Sequence, residues 1–518
     1  MKTSLTFLLL LTIYFFGCSS SKEITNQTSL INVNDIKSNL KVLSSDEFEG
    51  REATTRGDRL ATLFIESELE KYGVKPFFGD TSYIQKIKLL STETDTSSNL
   101  MISNENREVN FKFAKDFAFL GSPSQDMNNK KVDYEFVGFG ITAPEYDYDS
   151  YKGIDVNGKY VLVLGGVPQS DDTTYFNAAD AGKYGNWRYK ITTAKEKGAL
   201  GTIFIADDRT EKMWPMILQY AARPQFRLPD SNTPGRERTF ICVLRQNALN
   251  RLLNSNDNEY EKLIDKISNK LEANSVNLSG TLEFSIQQNE EEKYTNNIVG
   301  YVPGTDPKLK NEFVAVGAHF DHLGISNGVV FNGADDDGSG TVGLLALAKA
   351  FAGANDIKRS ILFVFHAAEE KGLFGSEFFT DNDSSILKDI TAQINLDMIG
   401  RESIDTIYSV GSDKLSSELK SIVEKVNKET VDFVFNYQFD DPNDPERIYY
   451  RSDHYNYAKH GIPIVFFTDN MQVDYHKPTD DYDKIDFAKI KKTDELVYGI
   501  VKDLANLDHK LAVDKEEK

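Results

Sequence analysis

Ile361-Leu362-Phe363-Val364-Phe365 is an unbroken apolar run, and His366-Ala367-Ala368-Glu369-Glu370-Lys371-Gly372 follows it directly. Apolar residues without alternation read as a strand buried on both faces, the kind found in a parallel sheet covered by helices. Phe313 to Gly317, Ile394 to Leu396 and Ile464 to Phe467 are runs of the same type. Between the first two of these four strands in chain order lies Ser339 to Phe351, a stretch of helical length rich in Ala and Leu. Strands and helices in alternation predict a mostly parallel sheet in an α/β sandwich. In such sheets functional side chains gather beyond the carboxyl ends of the strands, where Glu369 and Glu370 stand.

Upstream the pattern differs. Val33 to Gly73 is helical in period, with Leu60, Leu63, Phe64, Leu69 and Tyr72 near helix spacing and Gly73 as the stop; Gly50-Arg51 and Gly57 interrupt it as loop signals. Lys131 to Ile141 alternates by two, Lys159 to Leu164 is an apolar strand ending in Gly165-Gly166, and Ile191 to Gly198 is a helix leading into the strand Gly201 to Ile205. Thr239 to Leu244 is a further strand and Asn247 to Leu253 a further helix. These elements make a second, smaller α/β module without a catalytic cluster of its own. A chain of 518 residues is too long for one core and predicts two or three domains.

The net charge of −21 argues against a nucleic-acid partner, since phosphate binding needs clustered Lys and Arg. The N-terminus reads as an export signal: Lys2, then the apolar run Phe7 to Phe16 broken only by Thr12, then Gly17-Cys18 and three serines. This resembles a bacterial lipobox. It leads to the expectation of a lipid on Cys18, a polar tether over 18–34, and a place at the membrane of a bacterial cell envelope. With Cys18 so used, Cys242 is left alone in an apolar strand and reads as a buried, inert thiol.

All seven histidines lie between His319 and His509, which asks for a reason beyond solvated surface. Gly317-Ala318-His319-Phe320-Asp321-His322 puts an imidazole at a strand end, with Asp321 close enough to accept its other ring N–H. Asn332 to Gly340 holds three adjacent carboxylates, Asp335, Asp336 and Asp337, ahead of a helix, where one of them can be the N-cap. Two adjacent glutamates after a buried strand can divide labour, one on a metal and one on a proton. Asn395-Leu396-Asp397 and Asp474-Tyr475-His476 again place an Asp and a His after strands.

In this order the clusters resemble the co-catalytic zinc aminopeptidase family, the group of aminopeptidase Y, bacterial leucyl aminopeptidases and glutamate carboxypeptidase II. Leu43-Ser44-Ser45-Asp46-Glu47-Phe48-Glu49-Gly50-Arg51, Gly79 to Gln85 and Arg451-Ser452-Asp453-His454 also match. The resemblance implies a three-layer sandwich with a mixed, mostly parallel central sheet. It further implies that the middle module, with Gly138 to Ile141 and Gly158 to Val161, is an inserted protease-associated domain. The expected divisions are a signal peptide over 1–17, the tether, the first part of the peptidase domain over 35–115, the insertion over 116–288, the rest of the peptidase domain over 289–510 and a charged tail over 511–518.

The resemblance also implies two zinc ions per chain. His319 and Asp397 would complete one site and Glu370 and His476 the other, with Asp336 bridging because it stands three residues before the Ser339-Gly340 pair. Glu369 matches the general base and Tyr475 a residue that steadies the oxyanion; His322, Asp453 and His454, like Asp321, would stand around the ligands rather than among them. The function implied is an aminopeptidase acting on peptides through a hydroxide shared by the two ions. A glutaminyl cyclase-like acyltransferase with one zinc, and a non-catalytic protein like transferrin receptor, are the alternatives. Asp337 where many members have Asn, and Lys477 after the last His, depart from the family pattern without removing a ligand.

Overall fold

The computed structural model describes residues 31–515 except 80, 106, 122–127, 169–175, 177, 230–240, 256–257, 271–277 and 383. The chain divides into two compact units, one of residues 1–88 and 293–518 and the other of residues 89–292.

The first unit is built on the expected buried strands, each a little longer than its apolar run: Phe313–His319, Ser360–His366, Ile390–Leu396 and Ile464–Thr468. Ser360–His366 pairs in parallel with Phe313–His319, which pairs in parallel with Ile390–Leu396, and that strand with Ile464–Thr468. Antiparallel pairing flanks this core, through Ile298–Val302 on one side and Thr406–Val410 on the other. The sheet is therefore mixed, with a parallel centre.

Side-chain alternation explains why these strands are apolar throughout. Ile361, Phe363 and Phe365 enter one core while Leu362 and Val364 enter another on the opposite face. The first core also takes in Val314, Val316, Leu344, Leu345 and Leu347, with Ile490, Val497 and Val501 from the C-terminal helix Phe487–Asn506. Phe379 and Tyr457, from short helices, line the second. Helix Gly338–Ala352 is buried along nearly its whole length and packs against Val33–Leu43, Arg56–Tyr72 and Phe487–Asn506. Its small and apolar residues, Gly343, Ala346, Ala348 and Ala350 among them, suit a helix with no wet face. Gly73 ends the helix Arg56–Tyr72 at φ 77°, a left-handed conformation that costs Gly nothing.

The second unit has its own sheet, in which Lys131–Phe136, Tyr160–Leu164, Gly201–Ile205 and Ile241–Leu244 run parallel in that order. It begins earlier than the expected boundary at 116. Asn99–Asn104 pairs with both Arg107–Lys112 and Gly280–Ser285, so the stretch 99–112 is bound into this sheet. Every second residue there is buried (Leu100, Ile102, Val109, Phe111), the period-two pattern of strands with one covered face. Cys242 is fully buried, and burial pushes its thiol well above the ordinary range, which agrees with an inert side chain.

Candidate metal centre

Four of the expected ligands stand at or beyond the carboxyl ends of central strands, and the fifth, Asp336, stands just before helix Gly338–Ala352. His319 is the last residue of its strand and pairs in register with His366, three residues before Glu369. Asp397 directly follows Ile390–Leu396, and His476 lies in the segment after Ile464–Thr468. Parallel pairing brings these ends to one edge of the first unit.

The three consecutive aspartates are sorted by their backbone partners. Asp337 caps helix Gly338–Ala352, its Oδ1 accepting from Gly340 N at 2.9 Å and from Met398 N at 3.1 Å. Asp335 accepts from Gly400 N at 2.9 Å. Asp336 faces the imidazoles: its Oδ1 is 3.5 Å from His319 Nε2, and its Oδ2 is 3.3 Å from His476 Nε2 and 3.8 Å from His322 Nδ1. Asp480 accepts from the backbone N–H groups of both Asp335 and Asp336 and so fixes this turn.

Two groups of ligand atoms result, sharing Asp336. In the first, His319, Asp336 and Asp397 converge, with His319 Nε2 3.5 Å from Asp397 Oδ1. In the second, His322, Asp336 and Glu370 converge, and His476 Nε2 is 3.2 Å from Glu370 Oε2. His322 is thus among the candidate ligand atoms, not around them as its position in the motif suggests. Its offset of three residues from His319, in a segment that is neither helix nor strand, gives no sign of this.

The residues present fit divalent cations. His322 Nδ1, Asp336 Oδ2 and Glu370 Oε1 are buried, mutually close and without a hydrogen-bond partner, a state that interiors avoid unless another partner satisfies the atoms. Imidazole nitrogen with carboxylate oxygen is a donor set suited to zinc.

Side chains behind the ligands fix their orientation. His319 Nδ1 is 3.1 Å from the carbonyl oxygen of Asp321, while the Asp321 carboxylate is 3.9 Å away. His319 Nδ1 thus meets the backbone of Asp321 rather than its carboxylate, whose Oδ1 accepts from Glu369 N at 3.1 Å. Ser452, given no role by the sequence, donates to Asp397 Oδ2 at 2.7 Å and accepts from Asn395 Nδ2 at 2.9 Å. Asp453 is fully buried, and burial pushes its carboxyl up to about 7. His454 turns away from the centre: it stacks on Phe466 with centroids 4.5 Å apart, and its Nε2 is 2.8 Å from Tyr449 O. Tyr475 stacks on His476 with centroids 3.8 Å apart, and its hydroxyl accepts from Arg451 Nη2 at 3.2 Å.

The adjacent glutamates differ electrically. Burial pushes Glu369 well above the usual carboxylate range; Glu370, Asp397 and Asp453 add to this and His319 opposes it. Burial acts on Glu370 in the same direction, but His322 and His476 outweigh it and hold that carboxyl well below the usual range. Glu369 Oε2 is 3.9 Å from His319 Nε2 and belongs to neither ligand group. The centre opens into a cleft whose walls include Phe439, Ile448, Phe466 and Met471.

Residues 297–501, the span that carries all these side chains, match the family model described as peptidase family M28. The chain carries a domain of that family. Leucine aminopeptidase 1 of Sclerotinia sclerotiorum is 29% identical over 229 residues, which are 40% of this chain and 56% of that protein. The probable leucine aminopeptidase of Arthroderma benhamiae is 30% identical over 217 residues, 39% of this chain and 56% of that protein. The chain thus spans little more than half the length of these curated relatives. Among solved structures, an aminopeptidase from Aneurinibacillus sp. strain AM-1 superposes with a TM-score of 0.55 at 17% identity, covering 96% of this chain and 100% of that one. That likeness establishes the fold around the M28 domain, a mixed α/β sandwich.

These relatives correct one expectation. A bacterial cell-envelope location is overturned by the fungal origin of the leucine aminopeptidases that the M28 domain matches. Among the described residues no helix is long and apolar enough to cross a membrane. Cys18, the expected lipid carrier, lies outside the described residues.

Proposed function

We propose that the protein is a zinc-dependent aminopeptidase that removes the N-terminal residue of peptides. The observation that carries this reading is Asp336 facing two groups of imidazole and carboxylate side chains, with Glu369 beside them and in neither. His319, Asp336 and Asp397 would hold one zinc ion and Asp336, Glu370 and His476 the other. When bound, two such ions supply Lewis acidity to a peptide carbonyl and lower the pKa of water.

Glu369 takes the proton from the attacking water as the C–O bond forms, and then delivers it to the nitrogen of the departing peptide as the C–N bond breaks. Its backbone N–H is tied to Asp321, which holds the residue beside the ligands and leaves its carboxylate free for this transfer. Tyr475, steadied by Arg451 and by stacking on His476, would donate its hydroxyl proton in a hydrogen bond to the oxygen that gains charge.

The lining of the cleft favours the amino end: its single guanidinium, Arg451, is already engaged with Tyr475 and is not free to grip a terminal carboxylate. The apolar wall of Phe439, Ile448, Phe466 and Met471 suits a bulky aliphatic or aromatic side chain on the first residue.

Leucyl and N-acetyl-leucyl p-nitroanilide distinguish the readings. Acetylation removes the ammonium and keeps the leucyl side chain and the scissile bond, so kcat/KM should fall by about two orders of magnitude or more, the loss of one charge-assisted contact and its geometry. Equal rates on the two would refute an amino-end enzyme. A second ligand group at Asp336 also disfavours the one-zinc acyltransferase reading.

A further inference from the structure

We propose that His322 is itself a ligand of the second metal ion, through Nδ1, so that this ion is held by two imidazoles, His322 and His476, and two carboxylates, Asp336 and Glu370. The inference rests on the zinc reading above and extends it to a residue that reading does not use.

Donors around a zinc ion at its usual bond lengths lie roughly 3.2 Å from one another, and beside these four a fifth position stays open for water. The contacts here scatter around that value. His322 Nδ1 is 2.8 Å from Glu370 Oε1 and 3.8 Å from Asp336 Oδ2; His476 Nε2 is 3.2 Å from Glu370 Oε2 and 3.3 Å from Asp336 Oδ2. Glu370 therefore presents one oxygen to each ring, and the ring centroids stand 6.0 Å apart on either side of the carboxylate pair.

A hydrogen bond from His322 Nδ1 to Glu370 Oε1 is within reach at 2.8 Å and is the simpler arrangement, but it would satisfy that pair alone. Asp336 Oδ2, buried and 3.8 Å from the same nitrogen, would have no share in it. A metal ion is the partner that all three atoms can share.

The seat of the His322 ring is also built in advance. A Cβ at Gly333 would come within 2.5 Å of His322 Cγ and Cδ2, so only glycine, here at φ 54°, lets the chain pass the ring. Arg51 ties both flanks of that seat, donating from Nε to Phe320 O at 2.7 Å and from Nη2 to Gly333 O at 2.9 Å. The His322 side chain is completely buried, whereas His476 is 38% exposed. His322 is thus the anchored imidazole of this site and His476 the accessible one.

The test is zinc titration of metal-free wild-type and His322→Gln protein against a competing chelator, with X-ray absorption of both proteins loaded with zinc. Wild-type protein should take up two ions with three imidazoles shared between them. In His322→Gln the first ion should bind as in wild type and the second more than about 100-fold more weakly, beyond the roughly 10–100-fold that loss of a mere orienting partner costs, with the imidazole count down to two. Two imidazoles in wild type, or an unchanged second affinity in a folded variant, overturns His322 as a ligand and leaves the two-zinc reading intact. Wild-type protein that binds fewer than two zinc ions refutes that reading itself, and the proposal with it. Because the wild-type imidazole count stands alone, a variant that fails to fold does not remove the test.

Discussion

Glu369→Gln should lower kcat by about 10²–10⁴, the usual worth of a general acid–base, with both zinc ions retained. Glu370→Gln should lose or weaken one ion. The two residues are adjacent, both acidic and both beyond the same strand, so only their surroundings separate them. Glu369 is a buried carboxyl that belongs to neither ligand group, whereas Glu370 stands among the ligand atoms beside His322 and His476. A glutamine amide in place of the Glu369 carboxyl would fill the same space and keep the backbone bond to Asp321, but it cannot carry the proton from water to the leaving nitrogen. KM should change little, because the cleft wall and the ligands are untouched. Zinc content and turnover, measured side by side on the two variants, check this. Loss of zinc from Glu369→Gln with full zinc in Glu370→Gln would exchange the two roles.

The largest effect on stability is expected at Arg51. Its guanidinium is completely buried and donates to four backbone carbonyls, those of Leu43, Phe320, Asn332 and Gly333. Burial lowers its pKa, with Asp480, Asp337, Asp321 and Asp336 opposing, and a guanidinium stays protonated in such a setting. It therefore bolts the segment bearing His319 and His322 to the one bearing Asp336, and it offsets part of the carboxylate charge. Arg51→Met would take this donor from all four carbonyls, of which that of Gly333 keeps the N–H of Gly338, and leave the acids less compensated, a loss of about 3–5 kcal/mol by analogy with broken buried ion pairs. In a domain of this size that lowers Tm by roughly 6–20 °C. Arg51→Lys should recover only part, since one ammonium cannot reach all four oxygens. Calorimetry of the three proteins measures this; an unchanged Tm for Arg51→Met would mean that the two segments are held by something else.

Much of the M28 domain is legible in the amino-acid sequence, for a physical reason. Strands buried on both faces have no polar face to interrupt them, so Ile361 to Phe365 and its neighbours stand out, and a parallel sheet sends their functional residues to one edge. What the sequence hides depends on contacts between distant segments. Three aspartates in a row are equivalent in sequence; Gly340, Met398 and Gly400 sort them by which backbone N–H groups they offer. Arg51 is visible as part of a family-like motif, but its targets lie up to 282 residues away. Asp321 acts on His319 through its carbonyl, which no side-chain pattern encodes. The early start of the second unit escapes a sequence reading because the strand Asn99–Asn104 joins its sheet by pairing with the distant Gly280–Ser285, which no local pattern encodes.

Metal content and its removal test the central claim most directly. Purified protein should carry close to two zinc ions per chain, release p-nitroaniline from leucyl p-nitroanilide, lose that activity on dialysis against a chelator and regain it when zinc is restored. Metal-free protein that hydrolyses the substrate at the full rate would contradict the account.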